Sequence, residues 1–233
     1  MENLRVVAAL LLTGCALHAQ KPAEKKAAPP AAAASSAAAL AEELRGCVLA
    51  VVTSPEVDRK FAPALALLRD NAEALAENLK SRSNGPLKAP PEYLASLRAE
   101  IEICRPMLMT LTVNSPFANS DGRARLDALS RDLGAKAIDA RNNASARLVP
   151  VEVLTRHRAL PDNGWTITYQ WLPGSAKQSK TFPAPTPGAK TSLPPGYYSF
   201  RAEKTVAGKQ TTVEGGSGAL GGIPAPVISI NIP

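Results

Sequence analysis

Histidine, cysteine and aromatic side chains are scarce in this chain of 233 residues, which contains two histidines, three cysteines and 4% aromatic residues. His157 is the one histidine outside the first twenty residues. Because no cysteine pair lies near it in the sequence, it predicts neither a zinc site nor a catalytic triad. We therefore expect no metal and no catalytic residue, and we interpret His157 as a surface residue at the end of a strand.

Nucleotide-binding motifs are also missing. No phosphate-loop lysine motif occurs, and the string "GSGALG" (Gly216 to Gly221) lacks the acidic residue that a dinucleotide fingerprint places about twenty residues later. The net charge of +7 is spread along the chain and forms no basic stripe of the kind that follows a phosphate backbone. We expect no cofactor, no nucleotide and no nucleic-acid partner. Attraction to anionic lipid headgroups or cell-wall polymers fits the charge better.

Residues 1–19 have the pattern of a signal peptide. Arg5 precedes the apolar run "VVAALLL", which is too short to span a bilayer. Cleavage could follow Ala19 or precede Cys15, and the sequence leaves both alternatives open. The four residues "LTGC" that end at Cys15 resemble the lipobox of bacterial lipoproteins, and this resemblance implies acylation of Cys15 and a membrane anchor. Either cleavage predicts export, to a membrane-anchored position in the envelope or as a soluble periplasmic or secreted protein.

Two cysteines remain, Cys47 and Cys104, and the chain is expected to reach an oxidising compartment, where an even number of cysteines favours disulfide pairing. We predict a disulfide between them. The alternative is two buried, unpaired thiols, since free cysteine is commonly buried.

The chain after the leader divides by composition into three segments. Residues 20–39 are rich in Ala, Pro and Lys and predict a flexible tether. Residues 40–145 show apolar residues every three or four positions, as in Leu65, Leu68, Ala72, Leu75 and Leu79, and predict a helical bundle or hairpin. Pro106 is expected to kink or end the third helix near Arg105.

Residues 146–233 change to a period of two, as in "WTITYQWL" and "PVISINIP", with Pro and Gly breaks between runs. This predicts a small antiparallel β-sandwich, so the fold class is α+β with two successive folded segments. The stretch "LPPGYYSFRAEK" (residues 193–204) resembles the strand entry of secreted carboxypeptidase-regulatory-like and immunoglobulin-like modules. The resemblance implies a non-catalytic accessory module and assigns no functional residue.

Trp165, Tyr169 and Trp171 fall on one face of a predicted strand. They could form an exposed platform that stacks sugar rings, as in carbohydrate-binding modules, or they could pack inward as the sandwich core. A small sandwich needs such residues inside, so the core interpretation is preferred.

The function that the sequence favours is that of a non-enzymatic envelope protein, structural or binding another envelope protein or a cell-wall polymer. A carbohydrate-binding module is the alternative. A glycan hydrolase is third, because the few acidic residues of the C-terminal segment are scattered and those of the helices alternate with basic ones.

Overall fold

The computed structural model describes residues 36–81, 89–112, 121–174, 178–222 and 226–233. Every described residue belongs to one compact unit. The predicted signal peptide, Cys15 and most of the predicted tether lie outside the described residues.

Within these ranges the N-terminal part is helical. The helices are α1 (Ala37–Val52), α2 (Ala62–Lys80), α3 (Pro91–Leu111) and α4 (Asp121–Asn143), and a single 3₁₀ turn, Arg59–Phe61, precedes α2. The Ser36 hydroxyl accepts a hydrogen bond from the Ala39 amide and caps α1, which therefore begins inside the segment predicted as a tether. The leucines of the predicted α2 stripe are all buried in one helical core.

Pro106 lies inside α3, which continues to Leu111, so of the two predicted outcomes, a kink or an end near Arg105, the end is wrong. Proline removes one backbone donor and crowds the preceding turn. Here Met107 and Leu111 are buried in the helical core on the far side of Pro106. Burial of these side chains compensates for the lost hydrogen bond.

The C-terminal part forms two sheets, which confirms the α+β fold class. Their strands are β1 (Val149–His157), β2 (Leu160–Pro161), β3 (Thr166–Trp171), β4 (Lys180–Thr181), β5 (Lys190–Leu193), β6 (Gly196–Val206), β7 (Lys209–Leu220) and β8 (Val227–Ile232). In the first sheet β1 pairs with β2, β5 and β8, and in the second the order is β4-β3-β6-β7. The β1–β8 pair is parallel, and the other strand pairs are antiparallel.

The inner faces of the sheets share a second core, which includes Val153, Ile167, Phe200 and Ile230. Helix α4 packs against β6 and β7, so one helix joins the helical core to the second sheet. In the part of the chain that the structure describes, no helix has both the length and the apolar composition needed to cross a bilayer.

Candidate functional site

A groove opens where α3 meets the edges of the sheets. Its volume is about 590 Å³, and its walls come from α3, β3, β4 and the segment that joins β5 to β6. We call it the junction groove and define it by six residues: Glu92, Ser96, Tyr169, Trp171, Gln178 and Tyr198. Lys180 also lies at its rim. The groove thus combines aromatic rings with hydroxyl, amide and charged groups.

The aromatic wall is a direct consequence of strand alternation. Side chains at every second position of β3 point toward the sandwich core. Trp165, just before the strand, is 3% exposed and Ile167 is fully buried, whereas Tyr169 and Trp171 are half-buried because the strand runs out of the core at the groove. The Tyr169 ring packs edge-on against Phe182, with 5.4 Å between ring centroids.

This arrangement divides the aromatic row. Trp165 lies in the core between the sheets and cannot belong to an exposed platform, so it is removed from the predicted ligand-binding set. The preferred interpretation of these residues as part of the sandwich core therefore holds for Trp165. Tyr169 and Trp171 both pack against the core and line the junction groove.

A fully buried cluster of charged side chains lies between α3 and α4. Glu100, Asp132 and Lys136 each have zero exposure. The Lys136 Nζ atom lies 2.5 Å from Glu100 Oε1 and 2.8 Å from Asp132 Oδ2. Charged side chains are buried to this extent only when paired, because an isolated buried charge costs several kcal/mol, of the order of the stability of a domain.

Burial and charge act differently on the two carboxyl groups of the cluster. Burial raises the pKa of Glu100 well above its usual range, although the positive charge of Lys136 opposes this, and the neighbouring Asp132 raises the pKa further. Burial also acts to raise the pKa of Asp132, but the charge of Lys136 and the hydrogen bonds to its carboxylate lower it overall. Both carboxyl groups thus depend on the single ammonium group of Lys136, which contacts each of them.

Asp132 connects this cluster to the junction groove. Its Oδ1 atom accepts hydrogen bonds from Trp171 Nε1 at 2.7 Å and from the Tyr197 backbone amide at 2.6 Å. β6 begins at Gly196 and approaches Asp132 of α4 closely at this residue. The approach requires glycine, because a Cβ atom at position 196 would lie 2.5 Å from Asp132 Oδ1. The carboxylate therefore fixes one groove ring and the start of the strand that carries Tyr198.

The two buried carboxyl groups do not have the arrangement that glycan hydrolysis uses. Retaining and inverting glycosidases keep two carboxyls about 5–9.5 Å apart on either side of a sugar, with access to water. Glu100 and Asp132 instead share one lysine and are sealed from solvent. Their arrangement is that of a packing contact between helices and sheet.

The cysteines occupy facing helices. Both are free thiols in the structure, so the predicted Cys47–Cys104 disulfide is not formed in it. Burial is the main cause that raises the pKa of Cys104 to about 12, and Cys47 raises it further. The disulfide stays a prediction for the chain in an oxidising compartment.

His157 lies at the end of β1, half-buried, with its Nδ1 atom 3.3 Å from the Ile232 carbonyl oxygen. Nowhere among the described residues do three or more His, Cys, Asp or Glu side chains come together as metal ligands.

Sequence reasoning missed the Glu100–Asp132–Lys136 cluster because charged residues on helices were interpreted as a solvated face. A signal was present in α4. The apolar stripe of that helix includes charged residues, because one-, three- and four-residue steps connect Leu129, Asp132, Leu133, Lys136 and Ala140.

No protein-family model, no curated protein and no solved structure matches the chain.

Proposed function

We propose that this chain is a non-enzymatic, exported protein of the cell envelope that binds a glycan strand in the junction groove. The observation that carries the proposal is the groove itself, in which the half-buried Tyr169 and Trp171 lie beside hydrogen-bonding groups of α3 and of residues 178–180. Ligand sites are commonly concave and apolar, with a few polar groups placed to orient the ligand.

Aromatic rings and amide or hydroxyl groups are the side chains that suit a sugar. The apolar C–H face of a pyranose ring packs on an aromatic ring, and its hydroxyl groups bond to polar side chains such as Gln178. Gln178 lines the groove and is exposed, so its amide can donate to and accept from a ligand hydroxyl.

The charge of the groove favours a ligand without strong net charge. Glu92 and Lys180 carry opposite signs and lie at the same groove. A strongly anionic polymer would be repelled by the first and a cationic one by the second. An uncharged glycan is therefore the ligand class that we propose, and the N-acetylated sugar backbone of a cell wall is the example that the experiment tests.

Export and anchoring rest on the leader. The residues before Cys15 resemble a lipobox, and the Ala- and Pro-rich segment after it would let the folded part stand away from a membrane, inner or outer. A glycan-binding groove on such a tether would hold the envelope polymer close to the membrane surface.

The test uses the purified full chain and two probes, insoluble peptidoglycan sacculi and soluble N-acetylglucosamine oligomers. We expect the chain to sediment with sacculi and the oligomers to compete. Gln178→Ala should weaken oligomer binding by roughly three- to tenfold, the effect of one hydrogen bond. The matched control is Gln210→Ala, on an exposed part of β7 away from the groove, which should bind as the wild type does.

Two results would overturn the proposal. One is binding of sacculi that neither Gln178→Ala nor Tyr169→Ala reduces. The other comes from a photocrosslinking amino acid placed at Glu92 in intact cells. If it joins the chain to an envelope protein and not to wall polymer, the groove serves a protein partner.

A further inference from the structure

The two tryptophans of the chain differ in what their ring nitrogens contact. The Trp171 indole N–H donates to the buried Asp132 carboxylate at 2.7 Å, so the groove ring is held from behind by α4. The Trp165 indole N–H is also buried but makes no direct hydrogen bond among the described residues, although Asp162 lies near it and the Lys204 ammonium lies 5.4 Å from the ring centroid. Of the two tryptophans, Trp171 is therefore the one whose N–H donates a direct hydrogen bond to a buried carboxylate.

We propose that Asp132 is a positioning residue of the junction groove, and that it fixes the Trp171 ring in the orientation that receives the ligand. The identity of the ligand rests on the proposed glycan-binding function. The fixing of the ring does not, because it concerns contacts within the protein and can be measured without a ligand.

The Asp132 carboxylate is held at both oxygens, which prevents its rotation. Oδ2 accepts from Lys136 Nζ at 2.8 Å, while Oδ1 accepts from Trp171 and from the Tyr197 amide. Hydrogen bonds to an ionised acceptor are shorter and about twice as strong as neutral ones. Lys136 and Glu100 therefore keep a rigid anionic acceptor at the back of the indole.

Rigid placement matters because Trp171 is only half-buried. A ring at the mouth of a groove that could change rotamer would have to be ordered when a ligand binds, and this ordering lowers affinity. The hydrogen bond from the Tyr197 amide to Asp132 has a related effect on the other wall, because it fixes the start of β6. The next residue, Tyr198, lines the groove, and its hydroxyl donates to the Pro194 carbonyl at 3.0 Å.

The direct test is the pair of indole N–H signals in a proton–nitrogen NMR spectrum of the full chain. Trp171→Phe assigns them by removing one. Asp132→Asn replaces a charged acceptor by a neutral one, so the Trp171 signal should move upfield while the Trp165 signal stays in place. Affinity for N-acetylglucosamine oligomers should fall by roughly tenfold, as expected for a weakened hydrogen bond to a charged group.

The matched control is Asp139→Asn. Asp139 is also a buried carboxylate of α4, but it bonds to Arg147 and to the Gly222 amide and does not touch the groove. Its substitution should leave both indole signals and the oligomer affinity unchanged, even if it lowers stability. Equal losses of affinity in Asp132→Asn and Asp139→Asn would overturn the proposal, because a general loss of stability would explain both.

The remaining outcomes are also decisive. An unmoved Trp171 signal in Asp132→Asn would show that the carboxylate does not hold the ring. If the Trp171 signal moves in Asp132→Asn but the wild type itself binds no oligomer, the contact is confirmed and the proposed function is overturned. If Asp132→Asn does not fold, Trp171→Phe keeps an aromatic ring without the donor, and unchanged oligomer affinity in that variant would refute the positioning role.

Discussion

Lys136→Met removes the ammonium group that contacts both buried carboxyl groups of the cluster. All three side chains are fully buried, and Lys136 Nζ lies within 2.8 Å of an oxygen of each carboxyl. Removing one partner of a buried ion pair costs about 3–5 kcal/mol, because the remaining charge has no solvent and no counterion. Domains have about 5–15 kcal/mol of stability in total, so we expect a large loss in the free energy of unfolding.

The loss should depend on pH, and the direction follows from the pKa of Asp132. In the wild type this pKa is lowered on folding, so the carboxylate contributes stability above its unfolded pKa and loses it as the pH falls. Without Lys136, burial raises the pKa of Asp132 above its unfolded value, so the variant is favoured at low pH and weakened as the pH rises. The free energies of unfolding of the wild type and the variant therefore become more similar as the pH falls. The difference between wild type and Lys136→Met should therefore be larger at pH 8 than at pH 5.

Urea unfolding of the full chain at both pH values, followed by tryptophan fluorescence, measures this difference. The control is Lys190→Met, which removes a lysine from an exposed pair with Glu152 at 3.2 Å. Exposed pairs contribute about 0–1 kcal/mol, so this variant should lose little at either pH. A loss below about 1 kcal/mol for Lys136→Met, or an equal loss at pH 5 and pH 8, would refute the account of the cluster.

Four further results are expected. Because burial places the folded-state pKa of Glu100 above its unfolded value, the free energy of unfolding of the wild type should fall as the pH rises through this range. Glu100→Gln removes this titration and should make the fall smaller, which urea titrations from pH 5 to pH 9 measure. Trp165→Ala should cost about 3–5 kcal/mol in the same assay, since it leaves a cavity between the sheets. Non-reducing peptide mass analysis of protein taken from the envelope should find Cys47 linked to Cys104, and two freely alkylated thiols would contradict the bridge. Cys15→Ala should release the protein from membranes and abolish palmitate labelling, whereas a soluble mature protein that begins at Gln20 would contradict the anchor.

The order of helices and strands could be predicted from the sequence because local periodicity reflects which face of an element is buried. The α2 stripe is buried throughout, and in β8 the alternating residues Ile228, Ile230 and Ile232 pack against the sandwich core while their neighbours are exposed. The parallel pairing of β8 with β1 could not be predicted in this way, because alternation gives the inward face of a strand but not its neighbour or direction.

The junction groove depends on contacts between distant parts of the chain. Trp171 and its acceptor Asp132 are separated by 39 residues and belong to different layers. The alternation of β3 correctly placed Trp165, Tyr169 and Trp171 on one face. It could not show that the first of these lies in the core and the last at the mouth of a groove, since exposure along a strand depends on which distant parts of the chain pack against each position.

The buried cluster shows why a charged residue on an apolar helical stripe is informative. A solvated Asp or Lys can occupy any exposed position, but Asp132 and Lys136 are spaced with Leu129, Leu133 and Ala140 on the face of α4 that packs inward. Such residues persist in a core only if other side chains pair with them, and here Glu100 of α3 contacts Lys136 while the Trp171 indole N–H donates to Asp132. The charged positions of that stripe therefore predict a contact between layers, although they do not identify the partner. In this chain that contact fixes one wall of the groove on which the proposed function depends.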